Sequence, residues 1–408
     1  MSFQKTPMKL PIYLDHHATT PVDPRVLEAM QPYWTQECGN PASGHVFGWK
    51  AKQAVEKARA QIAQLLAGAR EEEIFFTSGA TESNNTALKG AAERYAERGG
   101  HLITVATEHK AVLDVCHYLE TRGFTVTYLP VDALGRLNLQ DLEKAITDKT
   151  FLISVMHANN EVGVIHPLAE IGRIAKEREI LFHVDAAQSA GKIPLNVEAW
   201  GIDLLSLSAH KLYGPKGVGV LYVRQNKPHV RLSPLLHGGG HEHGLRSGTL
   251  NVPGIVGLGK ACEIAGAEMP EESRCVRALR DRLEKGLKQN LDRIYVNGDA
   301  ENRLPHNLNI SFAYVESESL LMAINESIAV SSGSACTDGS ADTSHVLKAL
   351  RVPPERLHTA LRFGIGRFNT AEEIDFVIQK VTETVRKLRA MSPLYEAAQK
   401  GGDRRGFH

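Results

Sequence analysis

The 408-residue sequence has no excess charge of either sign and no long hydrophobic run. Lysine and arginine together number 47, and aspartate and glutamate also number 47, so no overall field attracts nucleic acid or an anionic membrane. No apolar run is long enough to span a bilayer, and residues 1–10 lack the apolar centre of a signal peptide. We therefore expect neither nucleic acid nor membrane among the partners.

Cysteine is also scarce, and its positions argue against two common roles. The five cysteines are far apart and form no CxxC pair: Cys38, Cys116, Cys262, Cys275 and Cys336. This spacing argues against a disulfide scaffold and against a zinc knuckle, and it favours a reducing, cytoplasmic location. The same spacing is compatible with one cysteine acting as a reactive thiol.

The apolar pattern predicts an α/β fold in two domains, since a chain of this length exceeds one typical core. Between residues 73 and 223, short apolar runs alternate with amphipathic helical stretches, which is typical of a mainly parallel, doubly wound sheet. We expect a large domain at 16–264, a smaller C-terminal α/β domain at 265–391, and an N-terminal segment at 1–15 that packs on the smaller domain. The predicted strands of the large domain are 74–76, 102–106, 125–129, 151–156, 180–184, 204–207 and 219–223.

The second half of the chain is less regular. A helix is predicted over 250–267, followed by a charged segment over 268–293 that leads into the smaller domain. Residues 392–408 are expected to form an exposed or partly disordered tail. The smaller domain is predicted to contain strands at 294–296, 308–312, 328–330 and 359–363, and helices at 344–350 and 371–391.

Two polar residues follow predicted buried strands. Lys211 ends the run SLSAHK at 206–211, and Asp185 ends the apolar run that begins at residue 181. A lysine that loses water reaches its neutral form more easily, and a neutral amine attacks an aldehyde. Pyridoxal phosphate needs this pair, a lysine for its aldehyde and an acid for its pyridinium nitrogen. A solvated lysine after a strand is the alternative.

The run TSGATES at 77–83 is typical of a tight turn followed by the start of a helix. Gly79 and Ala80 let backbone N–H groups approach an anion, which the helix dipole also attracts. Ser208 and His210 can supply further phosphate donors beside Lys211. Capping of the helix by Ser78 or Thr77 is the alternative.

Three other polar residues follow predicted strands. His109 could lie over a bound ring and move protons near neutral pH. Asn160 and Gln188 could each donate a hydrogen bond to the phenolic oxygen of the cofactor. For each residue, the alternative is an ordinary loop residue.

Histidines crowd a glycine-rich loop at His237, His241 and His243, which suggests a metal site. Metal sites usually add a carboxylate or thiolate at regular spacing, and a flexible glycine loop holds ligands poorly. We therefore expect a turn at a domain or subunit boundary, and no metal ion.

Cys336 and Arg362 complete the candidate residues. Cys336 lies in the run SSGSACTDGS at 331–340, whose small polar residues predict a mobile, exposed loop suited to a travelling nucleophile. Arg362 lies in LRFGIGR at 361–367, where its guanidinium could hold a substrate carboxylate bidentately. A small buried cysteine and a structural ion pair are the respective alternatives.

Together, these residues resemble the cysteine desulfurases, which belong to the class V aminotransferase group of pyridoxal-phosphate fold type I. The resemblance runs from about Pro11 to Tyr395, and the motifs occur in family order. The matching segments are 13–15, 18–21, 39–41, 77–82, 107–109, 159–163, 183–188 and 208–211.

The resemblance implies a role for each matching residue. Lys211 would bind the cofactor aldehyde, Asp185 would bind its ring nitrogen, and His109 would stack on the ring. Gln188 would bond the phenolic oxygen, while Asn160 and Arg362 would orient the substrate carboxylate. The phosphate would be held by Ala80, Thr81, Ser208, His210 and, from the other subunit of a homodimer, Thr249.

Residues 331–337 resemble the subgroup in which a loop cysteine, here Cys336, takes up sulfur as a persulfide and can contact an iron–sulfur cluster during transfer. Residues 391–395 are similar to the housekeeping iron–sulfur assembly branch, whose C-terminal region docks a scaffold protein. Two departures are Asp338-Gly339-Ser340, where small uncharged residues are common, and His243, where an arginine is frequent.

The sequence therefore predicts an L-cysteine desulfurase that converts cysteine to alanine and passes the sulfur of a Cys336 persulfide to iron–sulfur cluster assembly and other acceptors. A selenocysteine lyase or another class V aminotransferase is the alternative, although a transaminase needs no loop thiol. A non-catalytic scaffold would predict loss of Lys211 or Asp185, and both are present.

Overall fold

The computed structural model describes residues 9–226, 229–332 and 343–400. The chain forms two compact units. The larger unit comprises Thr19–Asn160 and Val164–Glu271, and the smaller unit comprises Met1–Ala18, Glu161–Gly163 and Glu272–His408.

The strands of both units are short, and they are numbered in chain order. They are β1 (Ile12–Tyr13), β2 (Ile74–Thr77), β3 (His101–Val105), β4 (Thr125–Leu129), β5 (Thr150–Met156), β6 (Leu181–Asp185), β7 (Leu204–Ser208), β8 (Gly219–Val223), β9 (Ile294–Val296), β10 (Asn307–Phe312), β11 (Ile328–Ala329), β12 (Ser331–Ser332) and β13 (Ala360–Gly364).

The helices vary widely in length. They are α1 (Pro24–Met30), α2 (Pro32–Thr35), α3 (Val46–Leu65), α4 (Ala80–Tyr95), α5 (Lys110–Thr121), α6 (Leu139–Ala145), α7 (Leu168–Glu177), α8 (Val252–Asn290), α9 (Ser317–Ile324), α10 (His345–Ala349), α11 (Ala371–Ala390) and α12 (Pro393–Lys400). None of those in the described ranges combines the length and apolar character that crossing a bilayer demands.

The larger unit contains a seven-stranded sheet in the order β2-β8-β7-β6-β5-β3-β4. Only β8 runs antiparallel to its neighbours in this sheet, so the other six strands share one direction. Every residue of β3, β5, β6, β7 and β8 is buried, which explains their nearly continuous apolar sequences. The predicted α/β fold with a mainly parallel sheet is confirmed.

The shared direction of these strands places several loops at one edge of the sheet. The carboxyl ends of β2, β3, β5, β6 and β7 lead into the segments that carry Ala80, His109, Asn160, Gln188 and Lys211. Ligands of open α/β sheets bind outside the carboxyl ends of the strands. This edge of the larger unit is therefore where a ligand site is expected.

The smaller unit contains a four-stranded antiparallel sheet in the order β12-β13-β10-β9. The N-terminal strand β1 pairs in parallel with β11, so that Ile12 lies opposite Ile328. These two residues belong to an apolar core that also includes Leu308 and Phe363. Strand β1 is thus part of the smaller unit's core.

Helix α8 differs from the sequence prediction. Residues 268–293 were predicted as a charged segment distinct from the helix at 250–267, but α8 continues into this segment as far as Asn290 and contains Pro270. Leu, Glu, Arg and Lys, which are abundant there, are strong helix formers. Val276, Leu283 and Leu287 also recur at helical spacing and are buried in the smaller unit's core, which stabilises the helix.

The beginning of the predicted tail is helical. Residues 393–400 form α12, and the ring of Tyr395 lies 5.5 Å from that of Tyr314 and 5.3 Å from the guanidinium carbon of Arg389. These aromatic and cation–π contacts hold the start of the helix against the smaller unit. Residues 401–408 lie outside the described part of the chain.

Candidate active site

Asp185 is the last residue of β6, and its buried carboxylate has a fixed orientation. The amide Nδ2 of Asn84 donates to Oδ2 at 2.7 Å, and the backbone N–H of Ala187 donates to Oδ1 at 2.9 Å. Asn84 lies on α4 and is itself buried. Two donors therefore hold the carboxylate that was predicted to bind the ring nitrogen of the cofactor. Sequence reasoning missed Asn84, although a buried amide on the apolar face of α4 is a signal of such a role.

Lys211 ends a short 3-10 turn that follows β7, and its side chain is half-buried. Thr20 holds this turn in place. Its backbone N–H donates to the carbonyl oxygen of His210 at 2.8 Å, and its hydroxyl accepts from the N–H of Tyr213 at 2.8 Å. Because β6 and β7 are neighbours, with Asp185 opposite Ser206, Lys211 lies at the same sheet edge as Asp185.

His210 is held in a neutral state by its surroundings. Burial, reinforced by the positive charges of Lys211 and Lys216, lowers the pKa of His210 to about 4. Its Nδ1 lies 3.2 Å from the hydroxyl oxygen of Thr19. A neutral imidazole has one N–H to donate, so His210 suits hydrogen bonding to an anion rather than charge pairing with it.

The turn before α4 has the geometry of an anion site. Gly79 is the N-cap residue of the helix and no side chain makes a capping hydrogen bond there, so capping by Ser78 or Thr77, the alternative to a phosphate site, is not found. The N–H groups of Ala80 and Thr81 lie in the first turn, where no intrahelical acceptor is available to them. A Cβ added to Gly79 would lie 3.6 Å from the Ser208 hydroxyl oxygen, so Ser208 borders the same turn.

A second glycine makes room for this turn. Gly219 begins β8, and a Cβ added there would lie 2.6 Å from the Cα of Gly79. The hydroxyl of Ser83 donates to the carbonyl oxygen of Val220 at 2.9 Å and so ties α4 to the same strand. Any side chain at residue 219 would push the turn away from the sheet.

His109 caps the N-terminus of α5. Its Nδ1 accepts from the backbone N–H of Ala111 at 3.1 Å, which leaves Nε2 as the nitrogen that carries the proton in a neutral ring. The preceding residue, Glu108, is fully buried, and its Oε1 accepts from the N–H of Met156 at 2.6 Å. Burial, reinforced by the charge of Asp185 and opposed by the Met156 hydrogen bond, raises the pKa of Glu108 and favours its neutral form. Sequence reasoning missed this buried acid.

Asn160 and Gln188 are both buried, and each lies a few residues beyond the end of a strand. Asn160 lies in the connection after β5, where the N–H of Asn159 donates to the carbonyl oxygen of Val164 at 2.9 Å. Gln188 follows Asp185 by three residues. Both predicted residues therefore lie in the segments that follow β5 and β6, at the same edge of the sheet.

Thr249 is exposed in the larger unit and follows Arg246, which pairs with Glu82. His237 and His243 are also exposed. Among the described residues, no group of three histidine, cysteine, aspartate or glutamate side chains is suited to a metal ion.

Arg362 belongs to the smaller unit, where it lies in β13 and is 1% exposed. Its Nη2 donates to Oδ1 of Asp15 at 3.0 Å. The ion pair that was the alternative to substrate binding is therefore present. Asp15 holds the guanidinium in place, and a held guanidinium is also what bidentate binding of a carboxylate requires.

The predicted nucleophile Cys336 lies outside the residues that the structure describes. Of the other four cysteines, Cys116 and Cys262 are buried, and burial raises the pKa of both thiols. Cys38 and Cys275 are exposed. The two buried thiols are therefore poor nucleophiles, because a thiolate is the reactive form.

The arrangement in the larger unit fits pyridoxal phosphate. The first turn of α4, Ser208 and His210 can hold a phosphate, and the carboxylate of Asp185 matches a pyridinium N–H. Lys211 supplies an amine at the same edge. These donors and acceptors complement the two ends of the cofactor and its aldehyde.

Comparison with known proteins agrees with this chemistry. The aminotransferase class-V family model matches residues 12–377. The chain is 60% identical to the cysteine desulfurase IscS of Anaeromyxobacter dehalogenans strain 2CP-C over 97% of its own length and 98% of the relative. A solved structure of a NifS-like protein is 43% identical with a TM-score of 0.87, and the match covers 93% of this chain and 100% of the NifS-like protein. The structure of SspA in complex with cysteine is 41% identical with a TM-score of 0.78, over 88% of this chain and 100% of SspA.

Proposed function

Because the chain belongs to the aminotransferase class-V family, and within it to the cysteine desulfurases, we propose that it is an L-cysteine desulfurase that supplies sulfur for iron–sulfur cluster assembly. One structural observation supports this function at the level of individual residues. Asp185, oriented by Asn84, ends β6, and Lys211 follows the adjacent strand β7, at the edge where ligands of such sheets bind.

The cofactor of this family is pyridoxal 5'-phosphate, which, when bound, supplies an aldehyde for an amine and a ring that accepts electrons from the α-carbon of an amino acid. Asp185 would hold the ring nitrogen and His109 would lie on the ring face. Gln188 would donate to the phenolic oxygen. Lys211 would hold the cofactor aldehyde and, once displaced by the substrate, would remove the α-proton with its amine.

Substrate cysteine would be oriented through its carboxylate. Arg362 and Asn160 are the proposed partners; both are buried donors, and Asp15 holds the Arg362 guanidinium. SspA, a relative, has been solved with cysteine bound, which supports a cysteine-sized substrate for this fold. Selenocysteine would bind the same groups as a side substrate, whereas a transaminase would have no use for the thiol of Cys336.

Cys336 would carry the sulfur. Its thiolate would attack the sulfur of the substrate, so that an S–S bond forms as the C–S bond breaks. The electron pair of the broken bond stays with the substrate carbon, which takes up a proton and leaves as alanine. The balance is cysteine plus a protein thiol giving alanine plus a protein persulfide.

We expect a homodimer in which Thr249 completes the phosphate site of the other subunit, together with Ala80, Thr81, Ser208 and His210. Large apolar side chains that are exposed in the larger unit support association, among them Trp34 at 62% and Trp49 at 59% exposure. A scaffold protein would dock at the C-terminal region, where Met391 and Leu394 are exposed. Because the cysteines are scattered along the sequence, which favours a reducing compartment, we also propose a cytoplasmic location.

The products formed from L-cysteine test the function. The parent protein should release alanine and, with a small-molecule reductant, sulfide in equal amounts, both of which mass spectrometry and sulfide assay can quantify. Cys336→Ser should nearly abolish both products, because a hydroxyl stays protonated at neutral pH. Cys275→Ser, a change of an exposed thiol, is the matched control and should turn over at the parent rate. Equal rates for Cys336→Ser and the parent would contradict the desulfurase mechanism.

A further inference from the structure

The carboxylate of Glu82 joins two distant segments of the larger unit. Its Oε2 accepts from the backbone N–H of Ser78 at 2.8 Å, and its Oε1 accepts from Nε of Arg246 at 2.8 Å. Nη2 of Arg246 lies 3.4 Å from Oε2, so the contact is a two-atom fork. One side chain in the first turn of α4 thus binds both the turn before the helix and a segment 164 residues away.

This pair differs from an ordinary surface ion pair. The side chains of Arg246 and Glu82 are 21% and 12% exposed, respectively, so water screens them less than an exposed pair. Although burial opposes ionisation, the hydrogen bonds from Arg246 and Ser78 lower the pKa of Glu82. The carboxylate is therefore charged, and removing it leaves a cation without its counter-charge in a largely buried place.

On its other side, Arg246 belongs to a closed loop. Leu236 and Arg246 form an isolated β-bridge, and the N–H of Gly248 donates to Nδ1 of His241 at 3.3 Å. Gly248 has a φ of +124°, a backbone conformation that favours glycine. Thr249 follows directly and is exposed. The position of Thr249 is therefore set by the same loop that Glu82 anchors through Arg246.

We infer that Glu82 and Arg246 are positioning residues that couple the two cofactor sites of the homodimer. The carboxylate of Glu82 orients the anion-binding turn of its own subunit and, through Arg246, the Thr249 segment that completes the site of the other subunit. This inference rests on the proposed function, in which Thr249 contributes to the neighbouring phosphate site. A change at Glu82 in one subunit then weakens cofactor binding at both sites.

Heterodimers with a single reporting site test the coupling. One subunit keeps the parent sequence, and the other, separately tagged, carries Lys211→Ala, so that only the parent subunit can hold the cofactor covalently. In this heterodimer the reporting site contains its own intact Glu82 and the Thr249 segment of the altered subunit. Pyridoxal phosphate is titrated into the apo-heterodimer, and borohydride reduction with peptide mass analysis measures occupancy of the reporting lysine.

Four versions of the altered subunit are compared. Lys211→Ala alone sets the baseline, and Thr249→Ala added to it tests the shared site. Glu82→Gln added to Lys211→Ala in the altered subunit should weaken cofactor binding at the reporting site of the parent subunit by about tenfold or more. The reason is that a charge-assisted hydrogen bond to Arg246 is lost in the altered subunit. Arg173→Gln, which removes the exposed pair of Arg173 with Glu177 on α7, is the matched control and should leave binding unchanged.

Variants of Arg246 separate positioning from general damage to the fold. Arg246→Gln should reproduce the loss caused by Glu82→Gln, and Arg246→Lys, which keeps a cationic donor, should restore part of the affinity. If Thr249→Ala weakens binding but Glu82→Gln and Arg246→Gln do not, the inference is overturned and the proposed function stands. If Thr249→Ala has no effect while the parent protein still binds the cofactor, the shared site and the coupling both fail.

Discussion

Three histidines of the larger unit are buried as neutral bases and should make the protein sensitive to acid. Burial lowers the pKa of His157 to about 3, of His166 to about 4 and of His183 to about 3, and for His157 the nearby His166 adds to the effect. In the unfolded chain each pKa lies at about 6.5. Below that pH the unfolded state binds protons that the folded state does not, so stability falls until the pH reaches the folded values.

The magnitude follows from these values. At pH 5.5, each histidine should cost about 1.4 kcal/mol of unfolding free energy relative to pH 7.5, and the three together about 4 kcal/mol. His183 gives the cleanest case, because both ring nitrogens contact hydroxyls, Nδ1 with Ser154 at 2.8 Å and Nε2 with Ser206 at 3.1 Å.

Urea unfolding of the parent and of His183→Asn at both pH values isolates this contribution. The variant should be less stable than the parent at pH 7.5, and that difference should shrink by about 1.4 kcal/mol at pH 5.5, because the variant has no base to protonate. Other titrating groups cancel in the comparison. Thr121→Ser, which changes no titrating group at an exposed position, is the control and should show no such change. A parent–variant difference that is the same at both pH values would refute the assignment of His183 as a buried neutral base.

Two other substitutions test the geometry of the site. Gly219→Ala should weaken pyridoxal phosphate binding about tenfold or more in an absorbance titration, since the added Cβ would lie 2.6 Å from the Cα of Gly79. The control Gly266→Ala in α8, where the added Cβ meets open space, should leave the affinity unchanged. Equal affinities of Gly219→Ala and the parent would show that the turn can move freely. Asn84→Ala should lower kcat by about ten- to hundredfold with a smaller effect on cofactor affinity, because it removes a charge-assisted hydrogen bond at 2.7 Å from Asp185; an unchanged kcat would remove Asn84 from its positioning role.

The large sheet and the placement of Asp185 and Lys211 could be predicted because both depend on local patterns. Buried parallel strands are nearly continuous apolar runs, and polar residues directly after them lie at one edge whatever the rest of the chain does. The contact of Asn84 with Asp185 could not be predicted this way, because it joins residues 101 positions apart on different elements. The Glu82–Arg246 pair could not be predicted for the same reason, since its residues are 164 positions apart.

The continuation of α8 shows a different limit. Its second half is highly charged and was predicted as a separate segment, but apolar residues at helical spacing there are buried in the smaller unit. Tertiary packing therefore decided the length of this helix, as it decides most helical stability in proteins. The roles of Arg362 and Cys336 stay predictions, since the former pairs with Asp15 and the latter lies outside the described residues.

The position of the persulfide shows whether Cys336 receives the sulfur of cysteine. The parent protein is incubated with L-cysteine under limiting reductant, alkylated, digested and mapped by mass spectrometry. We expect one added sulfur on Cys336 and none on the buried Cys116 and Cys262 or the exposed Cys38 and Cys275. Alanine formation with the added sulfur on another cysteine, or on none, would show that Cys336 is not the sulfur acceptor.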